Sequence, residues 1–190
     1  LGATKPTTKR TTVVLDPYVT ASFLGIISST LNGESVAKGR SLFMDRLGQT
    51  VAASIVTLVD DPTNPKAYTA TDLDGEGLAA RRNVLIEGGG LQQFVHSSYS
   101  GRRVGAKSTG NAIRGGFKGT PGVGCLALQL LPGQRDPGAL VSDIDDGRLI
   151  QSVRALHPGG NATSGDCPAG PPRPASPPAN PARPTPARPP

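Results

Sequence analysis

The sequence predicts an α+β fold, built mainly from antiparallel strands with one central buried helix. Apolar residues recur at helical spacing over residues 17–31, whereas the runs 50–61, 81–99 and 125–133 contain the aliphatic and β-branched residues typical of strands. Three consecutive glycines at 88–90 divide one of these runs into two halves, which is a strong hairpin signal. Strands joined by short turns are antiparallel, and the fold class follows from these observations.

The helix has a marked beginning and end. Asp16 can accept a hydrogen bond at the N-cap, and Pro17 suits the first helical position. Asn32-Gly33 predicts the end of the helix. Two apolar stripes cover much of its surface, so we expect it to be largely buried; they contain Val19, Phe23, Leu24, Ile26, Ile27 and Leu31.

The remaining elements follow in chain order. The apolar run within residues 11–17 predicts a short strand that is buried on both faces. The strand 50–61 ends at an Asp-Asp-Pro sequence. Residues 101–124 are rich in glycine and basic residues and predict a long irregular loop. After the strand 125–133, residues 136–156 predict a helix followed by a strand.

Composition divides the chain into residues 1–166 and a tail, residues 167–190. The tail holds 11 of the 19 prolines, and 20 of its 24 residues are Ala, Pro, Gly or Arg. Such a segment cannot form regular helix or sheet, so we expect it to be disordered. Because these four residue types have G/C-rich codons, one hypothesis is that the tail is an out-of-frame reading of a G/C-rich gene. A genuine proline-rich linker is the alternative.

Charge and cysteine content limit the classes of function. Residues 1–166 carry 17 basic and 14 acidic side chains, and so small an excess is no nucleic-acid footprint. Two cysteines, Cys125 and Cys167, are too few for a disulfide framework, and the first residues contain no signal-peptide core. We therefore expect a cytoplasmic protein. No apolar run approaches the ~20 residues that cross a bilayer, so no membrane partner is expected.

Three local motifs fall short of a cofactor site. The glycines of 33–41 depart from phosphate-loop spacing, and they follow a helix rather than a strand. The acidic sequence at 72–77 begins like a calcium loop but lacks the glutamate at its last position. His96 and His157 are far apart in sequence, and with Cys125 they match no zinc motif. We therefore predict no metal ligand and no catalytic residue in this chain.

The region 102–118 permits two interpretations. Its basic residues, with Tyr99 and Phe117 beside them, suit an RNA- or DNA-binding loop. The same glycine-rich sequence suits a mobile loop that lines a groove, since glycine lets a backbone approach a ligand closely.

Six segments together resemble the C-terminal domain of the TldD/PmbA family, the "modulator of DNA gyrase" proteins. In order they are "VVLDPYVTASFLGIISSTLNGESVAKGRSLFMDRLGQTVA", "VDDP", "DLDGEG", "RRNVLIEGGGL", "KSTGNA" and "NATSGD", within residues 1–166. The resemblance implies a barrel-like antiparallel domain of a cytosolic peptidase complex. It also implies a domain that is incomplete at the C-terminus, because further strands follow "SGD" in the family. A sheet without its last strands has an open edge, so we expect the chain to be poorly stable alone.

The resemblance also implies which kind of subunit this is. The TldD kind carries His-Glu-x-x-x-His on the helix before the glycine-containing loop and binds zinc, whereas the PmbA (TldE) kind lacks the motif and pairs with the zinc-bearing subunit. In this sequence the two histidine positions are Leu24 and Ser29, and the glutamate position is Gly25. The chain is therefore similar to the PmbA kind. No cofactor is expected in it, and zinc is expected in a TldD-like partner subunit.

The function implied is that of the zinc-free partner subunit in a peptidase heterodimer that takes part in the proteolysis of extended peptides. Ser108, Thr109, Gly110 and Asn111 are the candidates for lining a peptide groove, so alanine at Thr109 and Asn111 should weaken peptide binding. The alternative is a gyrase- or nucleic-acid-binding modulator that acts through the basic loop 102–118. An enzyme with an unrecognised site of its own and the non-functional product of a broken gene are further hypotheses.

Overall fold

The structure, a computed structural model, describes residues 9–153. The domain boundary predicted at residue 166, the proline-rich tail, His157 and Cys167 lie outside the described residues. The elements in chain order are β1 (Thr12–Leu15), α1 (Pro17–Thr30), α2 (Gly33–Ala37), β2 (Leu58–Asp60), β3 (Asn83–Glu87), β4 (Gly90–Leu91), α3 (Ser98–Val104), β5 (Ala112–Ile113), β6 (Gly122–Val123), β7 (Leu128–Leu130), α4 (Pro137–Ser142) and β8 (Gly147–Ile150).

A four-stranded antiparallel sheet organises the core. Its strand order is β4-β3-β2-β7, so the sheet is open, and residues 9–153 form no closed barrel. The α+β class is as predicted, with helices and antiparallel sheets combined. Burying one large aliphatic side chain contributes about 1.5–3 kcal/mol, and one apolar cluster supplies several of them: Leu31, Leu58, Leu85, Ile86, Leu91, Phe94 and Val95.

The hairpin between β3 and β4 confirms the prediction made from the three glycines. Glu87 pairs with Gly90, which leaves Gly88 and Gly89 as the turn residues, with φ of 54° and 80°. Positive φ at both central residues matches the right-handed twist of the flanking strands, and glycine adopts it without strain. Gly89 also lies against the chain before β2, where an added Cβ would be 2.3 Å from the carbonyl oxygen of Ala52.

Helix α1 begins where the sequence predicts and is followed at once by a second helix. The side chain of Asp16 accepts a hydrogen bond from the backbone N–H of Tyr18 at 2.9 Å. Asn32, expected only to end α1, instead caps α2, because its Oδ1 accepts from the N–H groups of Glu34 and Ser35 at 2.8 and 3.3 Å. The chain therefore turns sharply at this point and brings α2 beside α3.

The predicted central, buried position of α1 is not confirmed. Only Val19 and Thr30 of this helix are buried. Leu24 and Ile27 are partly buried against the core cluster, whereas Tyr18 is 79% exposed. The helix thus packs through one stripe rather than over most of its surface. No helix within residues 9–153 is both long enough and apolar enough to cross a bilayer.

Strand β1 lies where predicted, but the prediction that both of its faces are buried is wrong. It pairs in parallel with β8, from Thr12 opposite Gly147 to Leu15 opposite Ile150. Val13 is 50% exposed, because among the described residues this sheet has only two strands. Parallel strands are usually covered on both faces, so the pair leaves apolar surface in contact with solvent.

Three other regions complete the comparison with the predicted elements. Of the run 50–61, only β2 forms a strand, and the residues before it are irregular. The predicted loop 101–124 is more ordered than expected, since α3 continues into it and β5 and β6 form a short ladder. The helix and strand predicted within 136–156 are present as α4 and β8.

Candidate functional site

A buried carboxylate lies beneath the loop that contains the candidate groove residues. Asp60, at the end of β2, has no exposed surface, and its Oδ2 accepts a hydrogen bond from Asn111 Nδ2 at 2.6 Å. Its Oδ1 accepts from the backbone N–H of Ala127 at 2.6 Å. Both oxygens therefore have partners, as a buried carboxylate requires. Asp60 thereby connects β2 to the loop and to the segment before β7.

Asn111 extends this contact into a network of polar side chains. Its Nδ2 also donates to the carbonyl oxygen of Gly124 at 3.1 Å. Its Oδ1 accepts from Asn83 Nδ2 at 3.0 Å and from Thr109 Oγ1 at 2.7 Å. These four hydrogen bonds use the full donor and acceptor capacity of an asparagine amide. Asn111 therefore supports the loop from inside and has no capacity left for a ligand.

His96 forms the other end of the network. Its backbone N–H donates to Thr109 Oγ1 at 2.7 Å, and its carbonyl oxygen accepts from the N–H of Thr109 at 3.0 Å. The imidazole Nδ1 lies 3.3 Å from Ser100 Oγ, at the beginning of α3. The ring also packs over Gly33, where an added Cβ would be 2.1 Å from His96 Cε1. His96 thus holds α2, α3 and the loop together.

Burial changes the proton affinity of the two ionisable groups in this network. Desolvation raises the pKa of Asp60, although the hydrogen bonds from Ala127 and Asn111 act in the opposite direction. Desolvation lowers the pKa of His96. Both shifts favour the neutral form, because a charge in a poorly hydrated site loses its solvation. The shift of Asp60 does not mark a catalytic group, since Asp60 has no surface that a substrate could reach.

An open groove of about 420 Å³, here called the polar groove, lies over this network. The network residues Asn83, His96 and Thr109 line part of it. The size is in the range of clefts that bind small ligands or short extended segments. Its other polar lining residues are Arg81, Gln92, Gln93, Lys107 and Ser108, and its apolar lining residues are Leu47, Phe94 and Ala106.

The four residues predicted to line a peptide groove occupy two kinds of position. Ser108 and Thr109 line the polar groove, whereas Gly110 and Asn111 are buried and lie outside its lining. Gly110 has a φ of 73°, and an added Cβ would be 2.6 Å from the carbonyl oxygen of Ala79. Two of the four can therefore contact a ligand, and the other two support the loop.

The positions at which the family resemblance implies a zinc motif lie on α1 and carry no metal-binding groups. Leu24 packs against the core cluster. Gly25 is exposed, with no atom within 4 Å of the place where a Cβ would stand. The hydroxyl of Ser29 donates to the carbonyl oxygen of Ile26 at 2.6 Å, within the helix itself. A zinc ion therefore does not fit the side chains of this helix.

Cys125 lies beside this stretch of α1, where it forms a hydrogen bond with Ser28, and it too is unsuited to a metal. It packs against the same core cluster as Leu24. Burial raises the pKa of its thiol to about 12, although a hydrogen bond with Ser28 acts in the opposite direction. Metals bind the thiolate, which this environment disfavours. Within residues 9–153, no three His, Cys, Asp or Glu side chains are grouped closely enough to hold a metal ion.

The acidic sequence at 72–77 uses its carboxylates to stabilise the backbone. Asp74 Oδ1 accepts from the N–H groups of Glu76 and Leu78, both at 2.9 Å, and Oδ2 accepts from Ala112 N–H at 3.1 Å. Glu76 Oε2 accepts from the N–H of Ser98 at the start of α3, at 2.9 Å. The segment is therefore an acidic turn whose carboxylates bind backbone N–H groups.

The basic residues of 102–118 are distributed over several elements. Arg102 and Arg103 are exposed on α3, and Lys107 lines the polar groove. Arg114 donates to the carbonyl oxygens of Gly75 and Gly119, at 3.3 and 3.0 Å, and so part of the charge is committed to the loop's own structure. This distribution does not favour the nucleic-acid alternative, which calls for a continuous basic face.

Sequence reasoning did not connect Asp60, Asn83 and His96 to the loop 108–111. In the sequence, His96 stands out only as a candidate metal ligand, and Asp60 and Asn83 belong to predicted strands. A signal is nevertheless present, since Asp60 ends one short apolar run and Asn83 begins another. Such residues are rarely buried without a hydrogen-bonding partner on another segment.

The fold and the site together define an α+β domain in which a buried polar network supports an open groove. The family model described as "PmbA/TldA metallopeptidase C-terminal domain" matches residues 8–172. The chain belongs to this family, as the ordered motifs of its sequence imply.

Curated relatives carry the names of both kinds of subunit. A metalloprotease TldD homolog of Buchnera aphidicola subsp. Acyrthosiphon pisum is 30% identical over 121 residues, which are 64% of this chain and 25% of the relative. Metalloprotease PmbA of Escherichia coli O157:H7 is 30% identical over 112 residues, or 59% of this chain and 25% of the relative. The chain thus spans about a quarter of the length of these relatives.

Solved structures support the same family. A Thermotoga maritima MSB8 protein, named as a "putative modulator of a DNA gyrase", superimposes with a TM-score of 0.78 at 27% identity. The superposition covers 87% of this chain and 37% of the Thermotoga chain. TldE from Thermococcus kodakarensis superimposes with a TM-score of 0.71 at 28% identity. The superposition covers 76% of this chain and 33% of the TldE chain.

Proposed function

We propose that this chain is the zinc-free partner in a TldD/PmbA-type peptidase heterodimer, in which a TldD-like subunit holds the zinc and hydrolyses the peptide. The observation that carries the proposal is the chemistry of α1. Leu24, Gly25 and Ser29 stand at the motif positions, and none of them offers an imidazole or a carboxylate. The similarity to TldE of Thermococcus kodakarensis supports the same kind of subunit.

The contacts of these positions also support a structural role for α1. Leu24 is part of the apolar packing, so a polar ligand there would have to be buried at a cost. The thiol of Cys125 is held in its neutral form by the same apolar surroundings. The helix therefore contributes to the packing of the domain, and the hydrolytic chemistry belongs to the partner.

In this proposal the polar groove gives the domain its part in proteolysis. Ser108 and Thr109 lie at the groove, and the buried network fixes the loop that carries them. A groove of this kind can position an extended peptide near a zinc site on another subunit. Because the groove is held by Asp60, Asn83 and Asn111, it is formed before the peptide arrives, which lowers the entropy lost on binding.

The test is co-expression of this chain with the soluble proteins of its host, followed by affinity purification, zinc analysis and a peptide-hydrolysis assay. A protein that carries His-Glu-x-x-x-His should co-purify, and zinc and hydrolysis should both depend on its histidines. Gly25→Ala and Ser29→Ala in this chain should leave zinc content and hydrolysis unchanged. The proposal is overturned if zinc stays with this chain when it is purified alone, or if either alanine variant abolishes hydrolysis by the complex.

A further inference from the structure

The polar groove has a lining that is charged with one sign only. Arg81 and Lys107 contribute two cations, and no Asp or Glu is among the lining residues. Within residues 9–153, neither of these cations forms an ion pair, whereas the adjacent Arg82 lies 3.7 Å from a carboxylate oxygen of Asp61. We propose that the groove selects peptide segments that carry Asp or Glu. This inference rests on the proposed peptide-binding function and adds a substrate class to it.

The neutral polar groups of the groove are largely occupied by contacts within the protein. Thr109 Oγ1 accepts from the N–H of His96 and donates to Asn111. Ser108 Oγ donates to the carbonyl oxygen of His96 and accepts from the N–H of Gly110. These hydroxyls therefore contribute little to the choice between ligands.

The glutamine amides of the lining are committed in part. Gln92 Nε2 donates to the carbonyl oxygen of Gly90 at 3.2 Å, and Gln93 Nε2 donates to that of Val84 at 3.0 Å. Each of these amides keeps one further N–H, but it is neutral, and the charged donors of the groove are the exposed side chains of Arg81 and Lys107. A guanidinium and an ammonium have donors and no acceptor, and they favour carboxylates over neutral amides.

The buried Asp60 does not cancel this preference. Asn111 and Ala127 satisfy its two oxygens, and it has no exposed surface. Burial also raises its pKa, which reduces its charge at the acidic end of the pH range. The electrostatic character of the groove is therefore set by the two cations at its surface.

A peptide suits the groove better than a nucleic acid does. Two cations can pair with two carboxylates of a peptide, whereas single-stranded nucleic acid is usually held along several phosphates with bases stacked on aromatic rings. The aromatic ring of the lining, Phe94, is buried at 8% exposure. The exposed rings of Tyr99 and Phe117 are outside the lining.

The inference can be tested on the complex of the full chain with its co-purified partner, with the partner's zinc motif inactivated so that peptides remain intact. Fluorescence anisotropy would compare a labelled eight-residue peptide that contains two Glu with the same peptide carrying Gln instead. Because exposed ion pairs contribute only modestly to affinity, we expect the Glu peptide to bind about 5–10-fold more tightly at low salt. The difference should shrink as salt screens the charges.

Two charge-matched variants locate the effect. Arg81→Gln with Lys107→Gln should remove the preference for Glu, so that the two peptides bind with equal affinity. Arg10→Gln with Arg40→Gln removes the same charge at two exposed residues outside the groove lining, and it should retain the preference.

The outcomes distinguish this inference from the function on which it rests. If the complex binds both peptides equally, the charge preference is overturned while the peptide-binding groove stands. If neither peptide binds, the peptide-binding function is overturned as well. If single-stranded DNA binds more tightly and displaces the Glu peptide, the groove takes a phosphate polymer and the substrate class proposed here is wrong.

Discussion

Asn111 donates a hydrogen bond of 2.6 Å to Asp60, and neither side chain has exposed surface. The contact joins the end of β2 to the loop that forms one part of the polar groove. Charged hydrogen bonds of this length are stronger than neutral ones, and they are costly to break when the remaining partner stays buried. The shape of the groove therefore depends on residues that no ligand can touch.

Asn111→Ala should destabilise the fold substantially, by about 2–4 kcal/mol, because Asp60 and Asn83 would each lose a buried partner. Urea unfolding followed by circular dichroism would measure the loss. Gln49→Ala is a suitable control, since Gln49 is exposed and its amide donates to the carbonyl oxygen of Asp45 at 3.1 Å. It should cost less than about 0.5 kcal/mol. Equal losses in the two variants would contradict the role assigned to Asn111.

Two glycine substitutions should act in opposite directions. Gly33→Ala places a Cβ 2.1 Å from His96 Cε1 and 2.7 Å from the carbonyl oxygen of Val95, so it should destabilise the domain by about 2 kcal/mol or more. The Cβ added by Gly25→Ala has no atom within 4 Å, because Gly25 is exposed on α1. This variant should stabilise the domain by about 0.5–1 kcal/mol. Thermal unfolding should give the lowest midpoint for Gly33→Ala, an intermediate one for the wild type and the highest for Gly25→Ala. A Gly33→Ala variant that is more stable than the wild type would contradict this prediction.

Stability should fall on mild acidification because of His96. Burial lowers the pKa of His96 in the folded state, so the neutral ring contributes stability that is complete above its unfolded pKa of about 6.5. That stability is lost as the pH falls through the folded pKa, at no more than about 1.4 kcal/mol per pH unit. His96→Asn should reduce the dependence of the free energy of unfolding on pH in this range. Urea titrations between pH 8 and pH 5 would compare the two proteins, and parallel curves would refute the prediction.

The thiol of Cys125 should resist alkylation in the folded protein. Its pKa is raised to about 12 by burial, so little thiolate is present at pH 8. In a Cys167→Ser background, mass spectrometry should find slow modification by iodoacetamide without denaturant and rapid modification in urea. A rate in the folded protein equal to that in urea would show that the thiol is accessible and ionised.

Local signals explain what the sequence predicted correctly. Asp16 and Pro17 mark the start of α1 because both act within one turn of the chain, and Gly88 and Gly89 mark the hairpin for the same reason. The sequence does not predict helix α3, because glycine and arginine dominate its neighbourhood. Its start depends on a capping box between Ser97 and Ser100, whose two side chains satisfy the first free N–H groups.

The remaining features depend on contacts between distant segments. Asp60, Asn83 and Asn111 meet only after three separate parts of the chain have come together, and no spacing between them reveals it. The apolar sequence of β1 suggested complete burial, but its exposure depends on which strand lies beside it. The residues of α1 can be compared directly with the His-Glu-x-x-x-His motif, because metal binding there depends on which side chain stands at each position.

The parallel pairing of β1 with β8 joins the two ends of the described chain. To form it, the chain must close a loop that includes almost the whole domain, and the entropy lost on closure is regained only after the other contacts exist. The β3–β4 hairpin requires no such closure and can form within microseconds. We therefore expect β1 and β8 to associate last during folding and to separate first when the domain opens. Amide hydrogens of Val14 and Leu15 would then exchange with solvent before those of Leu85 and Ile86.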